Sequence, residues 1–190
     1  MSIITISRQA GSQGDEVALE VSNRLKWRCI CREVINEAAR EARVPLVGLA
    51  AIDELGVLGL HPSIKEWQAY QTQAERIIRH LADEGNVVIV GRGSQMVLRD
   101  HPGVLHVRVI APLEVRVVRL QQQEHISAEA AQVRLEATDK ARLRYLQRSY
   151  GIKTNDPTFY HLVINTGLLK LSQAVNLVLQ AVQEIEAQSH

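Results

Sequence analysis

The apolar positions of this chain alternate between two periods. Ile3-Ile4-Thr5-Ile6 is a short β-branched run and predicts a strand. From Asp15 to Lys26 the spacing predicts a helix with Ala18, Val21, Ser22 and Leu25 on one face. Arg28–Cys31 reads as a short strand, and the Glu-, Ala- and Arg-rich 32–43 as a helix ending before Pro45. Residues 45–63, dotted with Gly48, Gly56, Gly59 and Pro62, predict irregular structure or short helices. A long helix is expected from Ser63 to Glu84, closed by Gly85-Asn86. Val87–Val90 is a continuous apolar run, as in a strand covered on both faces, and ends in Gly91-Arg92-Gly93. Val104–Ile110 predicts another strand and Leu113–Gln123 a helix. Ser127 reads as the N-cap of a helix reaching about Tyr150. Leu162–Asn165 is the last strand. Ser172 is expected to cap a C-terminal helix with Val175, Val178, Leu179 and Val182 toward the core.

Strands separated by helices imply parallel pairing, right-handed crossovers and helices on both faces of one sheet. Ligands of such sheets bind outside the carboxyl ends of the strands. Three loops qualify: Ser7–Gly14, Gly91–Ser94 and Ala111–Glu114. The first is the most informative, because a small, polar, glycine-containing loop opens directly into a helix. Unsatisfied N–H groups and the helix dipole make such a junction a phosphate site. Yet the loop lacks the lysine and Ser/Thr of G-x-x-x-x-G-K-[ST].

Composition narrows the class without naming a chemistry. The chain has 190 residues, 46% hydrophobic and 23% charged, with a net charge of +1. One domain with helical excursions at about 32–84 and 120–150 is expected, without repeats. The near-neutral charge gives no reason to expect nucleic-acid or membrane binding. No apolar run approaches the ~20 residues of a membrane helix. Without a signal-peptide pattern or a cysteine framework, a reducing cytoplasm fits best. Cys29 and Cys31 are expected to face opposite ways and form neither disulfide nor metal clamp, and the seven histidines make no metal motif. No metal-ligand set is predicted.

Several segments, taken in order, carry a resemblance. They are Ile4-Thr5-Ile6-Ser7-Arg8-Gln9 with Gly11-Ser12, Arg32-Glu33 with Ile35, and Gln73-Ala74-Glu75-Arg76-Ile77-Ile78 with Leu81-Ala82. Val88-Ile89-Val90-Gly91-Arg92-Gly93, Asp139-Lys140 with Arg142, and Tyr160 with Leu162-Val163-Ile164-Asn165-Thr166 complete the set. Together they resemble the cytidylate kinase-like branch of the P-loop nucleoside monophosphate kinases, collinearly and over nearly the whole chain. The resemblance implies a P-loop NTPase-type parallel five-stranded sheet with helices on both faces. It also implies a helical substrate-binding insertion, an arginine-bearing lid, and an ATP site at the first loop. The reaction implied is transfer of the γ-phosphate of MgATP to a nucleoside monophosphate, with CMP or dCMP the first choice. A homo-oligomer is compatible with the sequence.

Phosphoryl transfer rests on positioning two polyanions and neutralising charge on the migrating group, so backbone amides and arginines are the candidates. Ala10, Gly11, Ser12, Gln13 and Gly14, with Asp15 and Glu16 opening the helix, form the candidate donor site. Gly14 stands where the usual lysine would be, and Glu16 near the Ser/Thr. Arg8 either supplies the missing cation or closes the loop by a salt bridge. Gln13 replaces a glycine usual in the branch, and Asp15 stands where a basic residue is frequent. Asp15 either pairs with the helix dipole or opposes the triphosphate. Arg92, after a central strand, matches the residue that grips the acceptor phosphate. Arg116 and Arg119 share a helix face that is either solvated or turned to ATP phosphates. Asp139 and Arg142 are either an exposed i,i+3 pair, or a substrate contact or orienter beside a transition-state cation. Arg32 belongs to the acceptor site, as does Cys31, which replaces an acid common in relatives. Trp67 and Tyr70 read as core, with base stacking the lesser reading. The departures at Gln13, Asp15 and Cys31 motivate an alternative, a catalytically weak nucleotide-binding sensor or regulatory protein. A dinucleotide-dependent oxidoreductase fits poorly, because G-x-G-x-x-G is absent.

Overall fold

A computed structural model describes residues 2–31, 37, 40–41, 63–152 and 156–188. The helix expected over 32–43 and the irregular stretch over 45–62 fall almost wholly outside these residues, as does Arg32. Among the described residues five strands form one sheet: β1 (Ile3–Arg8), β2 (Arg28–Ile30), β3 (Val87–Val90), β4 (Val104–Ile110) and β5 (Leu162–Asn165). All neighbours are parallel, in the order β2-β3-β1-β4-β5. The helices are α1 (Gly14–Leu25), α2 (Ile64–Glu84), α3 (Ser94–Val97), α4 (Leu113–Glu124), α5 (Ala128–Tyr150) and α6 (Leu171–Gln188).

The period-two alternation of the strands sorts their side chains onto two cores. Ile3, Val87, Ile89 and Val104 pack with Trp67, Tyr70, Ile77 and Ile78 of α2 and Tyr145 of α5. Ile4, Ile6, Val88, Val90, Leu105, Val107 and Val109 face the other way, onto α1 and α6. Trp67 and Tyr70 are therefore core residues, as their spacing predicted. α2 starts where the sequence put it, because Ser63 and Glu66 form a reciprocal capping box. Ser127 caps α5 by accepting from the Ala130 amide.

Two expectations are corrected. Ser172 lies inside α6, which begins at Leu171, and the first turn is instead tied by Gln173 Oε1 accepting from the Lys170 amide at 2.9 Å. Cys29 and Cys31 do not face opposite ways. Residues two apart on a strand share a side, and both pack against the α1–α6 core. The one-turn helix α3 was not expected, since four residues carry no readable period. Among the described residues no helix is long and apolar enough to cross a membrane.

A histidine pair, His106 buried and His161 exposed, joins β1, β4 and the entry to β5. His106 sits opposite Thr5 in register, with Nδ1 2.7 Å from Thr5 Oγ1, and its ring stacks on His161 at 5.0 Å. Burial first, then His161, pushes His106 down to about 4. The unfolded histidine keeps its ordinary value near 6.5 and so binds a proton first as pH falls. Stability is accordingly lost between about pH 6.5 and 4, by about 3 kcal/mol from this residue. Urea midpoints at pH 7 and pH 4.5 should differ much less in His106→Gln than in the wild type. An equal drop in both would exclude His106 as the source.

Candidate active site at the carboxyl edge of the sheet

The carboxyl ends of β3, β1 and β4 bring the three candidate loops side by side. Gly91 N–H donates to Ile6 O, Gln9 N–H to Val109 O, and the Ala111 amide to Gln9 Oε1. The loop between β1 and α1 is held from behind. Arg116 Nη1 donates to Ala10 O at 3.1 Å, Thr166 Oγ1 to Ser12 O at 2.7 Å, and Arg119 Nη1 reaches Gly11 O at 3.5 Å. In a trans peptide the carbonyl of one residue and the N–H of the next point opposite ways. Capturing the Ala10 and Ser12 carbonyls therefore turns the Gly11 and Gln13 amides outward. Among the described residues, neither amide has a partner, nor does that of Gly14. Outward, unpartnered amides at a helix N-terminus are an arrangement that can receive an anion.

Gln13 adopts φ 61, a conformation a glycine takes without cost, and its side chain makes no cap hydrogen bond. Ser12 is fully buried, its hydroxyl donating to Gln9 O and Val109 O, so it shapes the loop rather than facing a ligand. Asp15 is bound to Arg8 Nε at 3.0 Å. The closing salt bridge weighed for Arg8 is thus formed. Glu16, like Asp15, is exposed in the first turn of α1.

The arginines and Asp139 differ from their solvated-face readings. Arg116 is only 6% exposed, bonds Ala111 O through Nε at 3.0 Å and pairs with Asp139 at 2.7 Å. Asp139 also accepts from the Ala10 amide at 2.9 Å, so it sits behind the phosphate loop. It does not pair with Arg142 as an exposed i,i+3 couple. Arg119 is anchored on Thr166, through O at 2.7 Å and Oγ1 at 3.1 Å. Arg142 instead donates to Arg8 O at 3.0 Å. Burial first, then Arg8, push Arg142 down to about 10; Asp15 and Asp139 oppose the shift, and Arg92 adds to it. Arg142 thus stays charged at neutral pH, with Arg8 and Arg92 near enough to be felt.

Arg92 occupies the middle of a left-handed run: φ is 77 at Gly91, 57 at Arg92 and 66 at Gly93. The flanking glycines take this turn freely, whereas Arg92 holds it at about 1–3 kcal/mol of strain. A Cβ on Gly93 would overlap the Tyr150 ring, so the turn is pressed against α5. Tyr145 OH reaches Arg92 O at 3.4 Å, and the Arg92 guanidinium lies 5.6 Å from the Tyr145 ring centre.

Residues 3–168 match the model of the cytidylate kinase-like family. The chain belongs to that family. It is similar to the cytidylate kinase of Pyrococcus horikoshii, 32% identical over 86% of this chain and 79% of that one. A crystal structure of an uncharacterized protein from Eubacterium ventriosum superposes with a TM-score of 0.77 at 20% identity, covering 96% of this chain and 99% of the other. Shikimate kinase from Acinetobacter baumannii gives a TM-score of 0.55 at 13% identity over 97% of this chain and 94% of the other, so the fold is that of the P-loop kinases. The Arg8–Asp15 pair lies at the opening of α1, and Cys31 is half-buried against the α1–α6 core. Two groups at the site went unassigned in the sequence. Thr166 directly follows β5 at the ligand edge, a positional signal strong enough to have flagged it. Tyr145 lies mid-helix, and nothing local marks it.

Proposed function

We propose that this chain is an MgATP-dependent nucleoside monophosphate kinase, with CMP or dCMP as acceptor. One observation carries the reading. A loop with outward amides faces a group of arginines, Arg8, Arg92 and Arg142, drawn from three separate elements. Two phosphate-bearing substrates meeting end to end need such a place.

In this reading the amides of Gly11, Gln13 and Gly14 hold the donor phosphates at the start of α1. Arg92 grips the acceptor phosphate with a planar fork suited to it. Arg142 neutralises charge growing on the migrating group. Arg116, Arg119 and Asp139 keep the loop carbonyls turned away. No general base is required, because the acceptor phosphate is itself the nucleophile. MgATP, when bound, supplies the γ-phosphoryl group. Among the described residues no cluster of three His, Cys, Asp or Glu is built for a metal. Mg²⁺ would be held by phosphates and water. The segment at about 32–84, with Arg32 and Cys31 at its start, would form the acceptor-binding insertion. The segment at about 120–150 would be the lid. A cytoplasmic setting suits this chemistry.

The Arg8–Asp15 pair favours one second reading, a nucleotide-binding sensor with little turnover, because it places a carboxylate beside the donor loop. ADP formation with MgATP and a panel of ribo- and deoxyribonucleoside monophosphates separates the two. Acceptor-dependent ADP, greatest with CMP or dCMP, is the expected result. ATP binding without turnover on any acceptor would replace the kinase by the sensor.

A further inference from the structure

Set against G-x-x-x-x-G-K-[ST], the chain carries Arg8 at the first glycine, Gln13 at the second and Gly14 at the lysine. Arginine and glycine have exchanged ends of the motif. The packing gives the reason. A Cβ on Gly14 would overlap the Arg8 Cβ outright and lie 2.9 Å from its Cγ and 3.3 Å from Val109 Cβ. The stem of Arg8 fills the space where any side chain at position 14 would begin.

The far end of Arg8 reaches a different loop. Its Nη1 lies 2.5 Å from where a Cβ on Gly91 would stand, so Gly91 is the gap through which the guanidinium passes. Arg8 therefore runs from the N-terminus of α1 to the turn that presents Arg92. Its side chain is 19% exposed and that of Asp15 61%. Asp15 is the carboxylate bonded to the guanidinium among the described residues, through Nε alone. A part-buried guanidinium beside a second cation, Arg142, needs a counter-anion. An exposed aspartate supplies one charge, and a triphosphate supplies several.

We propose that Arg8 is the phosphate-loop cation of this protein, delivered from the strand because position 14 cannot hold a side chain. Asp15 is the resident counter-ion that a bound triphosphate displaces. The proposal rests on the kinase reading and adds to it the residue that bridges donor and acceptor. It also assigns the Asp15 departure a role, that of holding Arg8 in place before substrate arrives.

The test exchanges the two residues back. ATP affinity by calorimetry and turnover on the best acceptor are measured for the wild type, Arg8→Gln, Gly14→Lys, Asp15→Asn and the double variant Arg8→Gly/Gly14→Lys. Loss of a charge-assisted contact should weaken ATP binding roughly ten- to a hundredfold in Arg8→Gln. Gly14→Lys alone should bind poorly, since two side chains contend for one space. The double variant should bind ATP better than either single variant, a recovery that a merely structural Arg8 cannot produce. Asp15→Asn should tighten ATP binding. Arg8→Gln binding ATP like the wild type, or a folded double variant no better than Arg8→Gln, overturns the proposal while leaving the kinase reading intact. If circular dichroism shows the double variant unfolded, Arg8→Lys replaces it: affinity kept above that of Arg8→Gln supports the assignment, and equal loss overturns it. A wild type that neither binds ATP nor turns over any acceptor refutes the kinase reading itself, and the assignment falls with it.

Discussion

Arg142→Ala should lower acceptor-dependent ADP formation about a thousandfold, the scale on which cations stabilise phosphoryl-transfer transition states. The fall should be in kcat more than in KM, because a group that meets charge only as it develops adds little to ground-state binding. The geometry behind this is specific. Arg142 is half-buried, tied to the Arg8 carbonyl at 3.0 Å and held beside two further arginines. A structure tolerates such crowding of like charge when polyanions are its partners. Steady-state kinetics on the preferred acceptor check the prediction. A loss confined to KM would make Arg142 a binding residue, and no loss would remove it from the site.

Asp139 should matter first for stability. Its carboxylate holds the 6%-exposed Arg116 and the Ala10 amide together. Asp139→Ala strands that buried guanidinium and one loop amide, at a cost of about 3 kcal/mol. Asp139→Asn retains an acceptor for the Ala10 amide while removing the charge, and should lose less. Urea unfolding of the three proteins gives the order, wild type above Asn above Ala. The loss should extend to ATP affinity, since the Ala10 carbonyl would no longer be drawn behind the loop by a fixed Arg116. Equal stability of Asp139→Ala and wild type would mean that the pair breaks even against its desolvation.

Most of the architecture was legible because strand and helix periods are local properties. Val87–Val90, Val104–Ile110 and Leu162–Asn165 are strands over the very residues read from their apolar runs. Capping at Ser127 was equally readable, since a cap involves residues three apart. The same locality explains the errors. Ser172 has the chemistry of a cap, but the helix begins before it, at Leu171, with the Lys170 amide donating to Gln173. Arg116 and Arg119 were rightly placed on one face of one helix. Nothing near them in sequence said that this face looks onto Ala10, Gly11 and Thr166.

The sequence by itself determined the parallel α/β plan, the loop poised at a helix N-terminus, and the arginines available to it. Those follow from periodicity and residue chemistry, which act over a few positions. Only the tertiary structure decided which charges meet. It put Asp139 behind the loop 129 residues away, Arg142 against the Arg8 backbone, and the stem of Arg8 into the space that Gly14 leaves. Pairing across such separations is set by how strands and helices pack, and that packing depends on the whole chain at once.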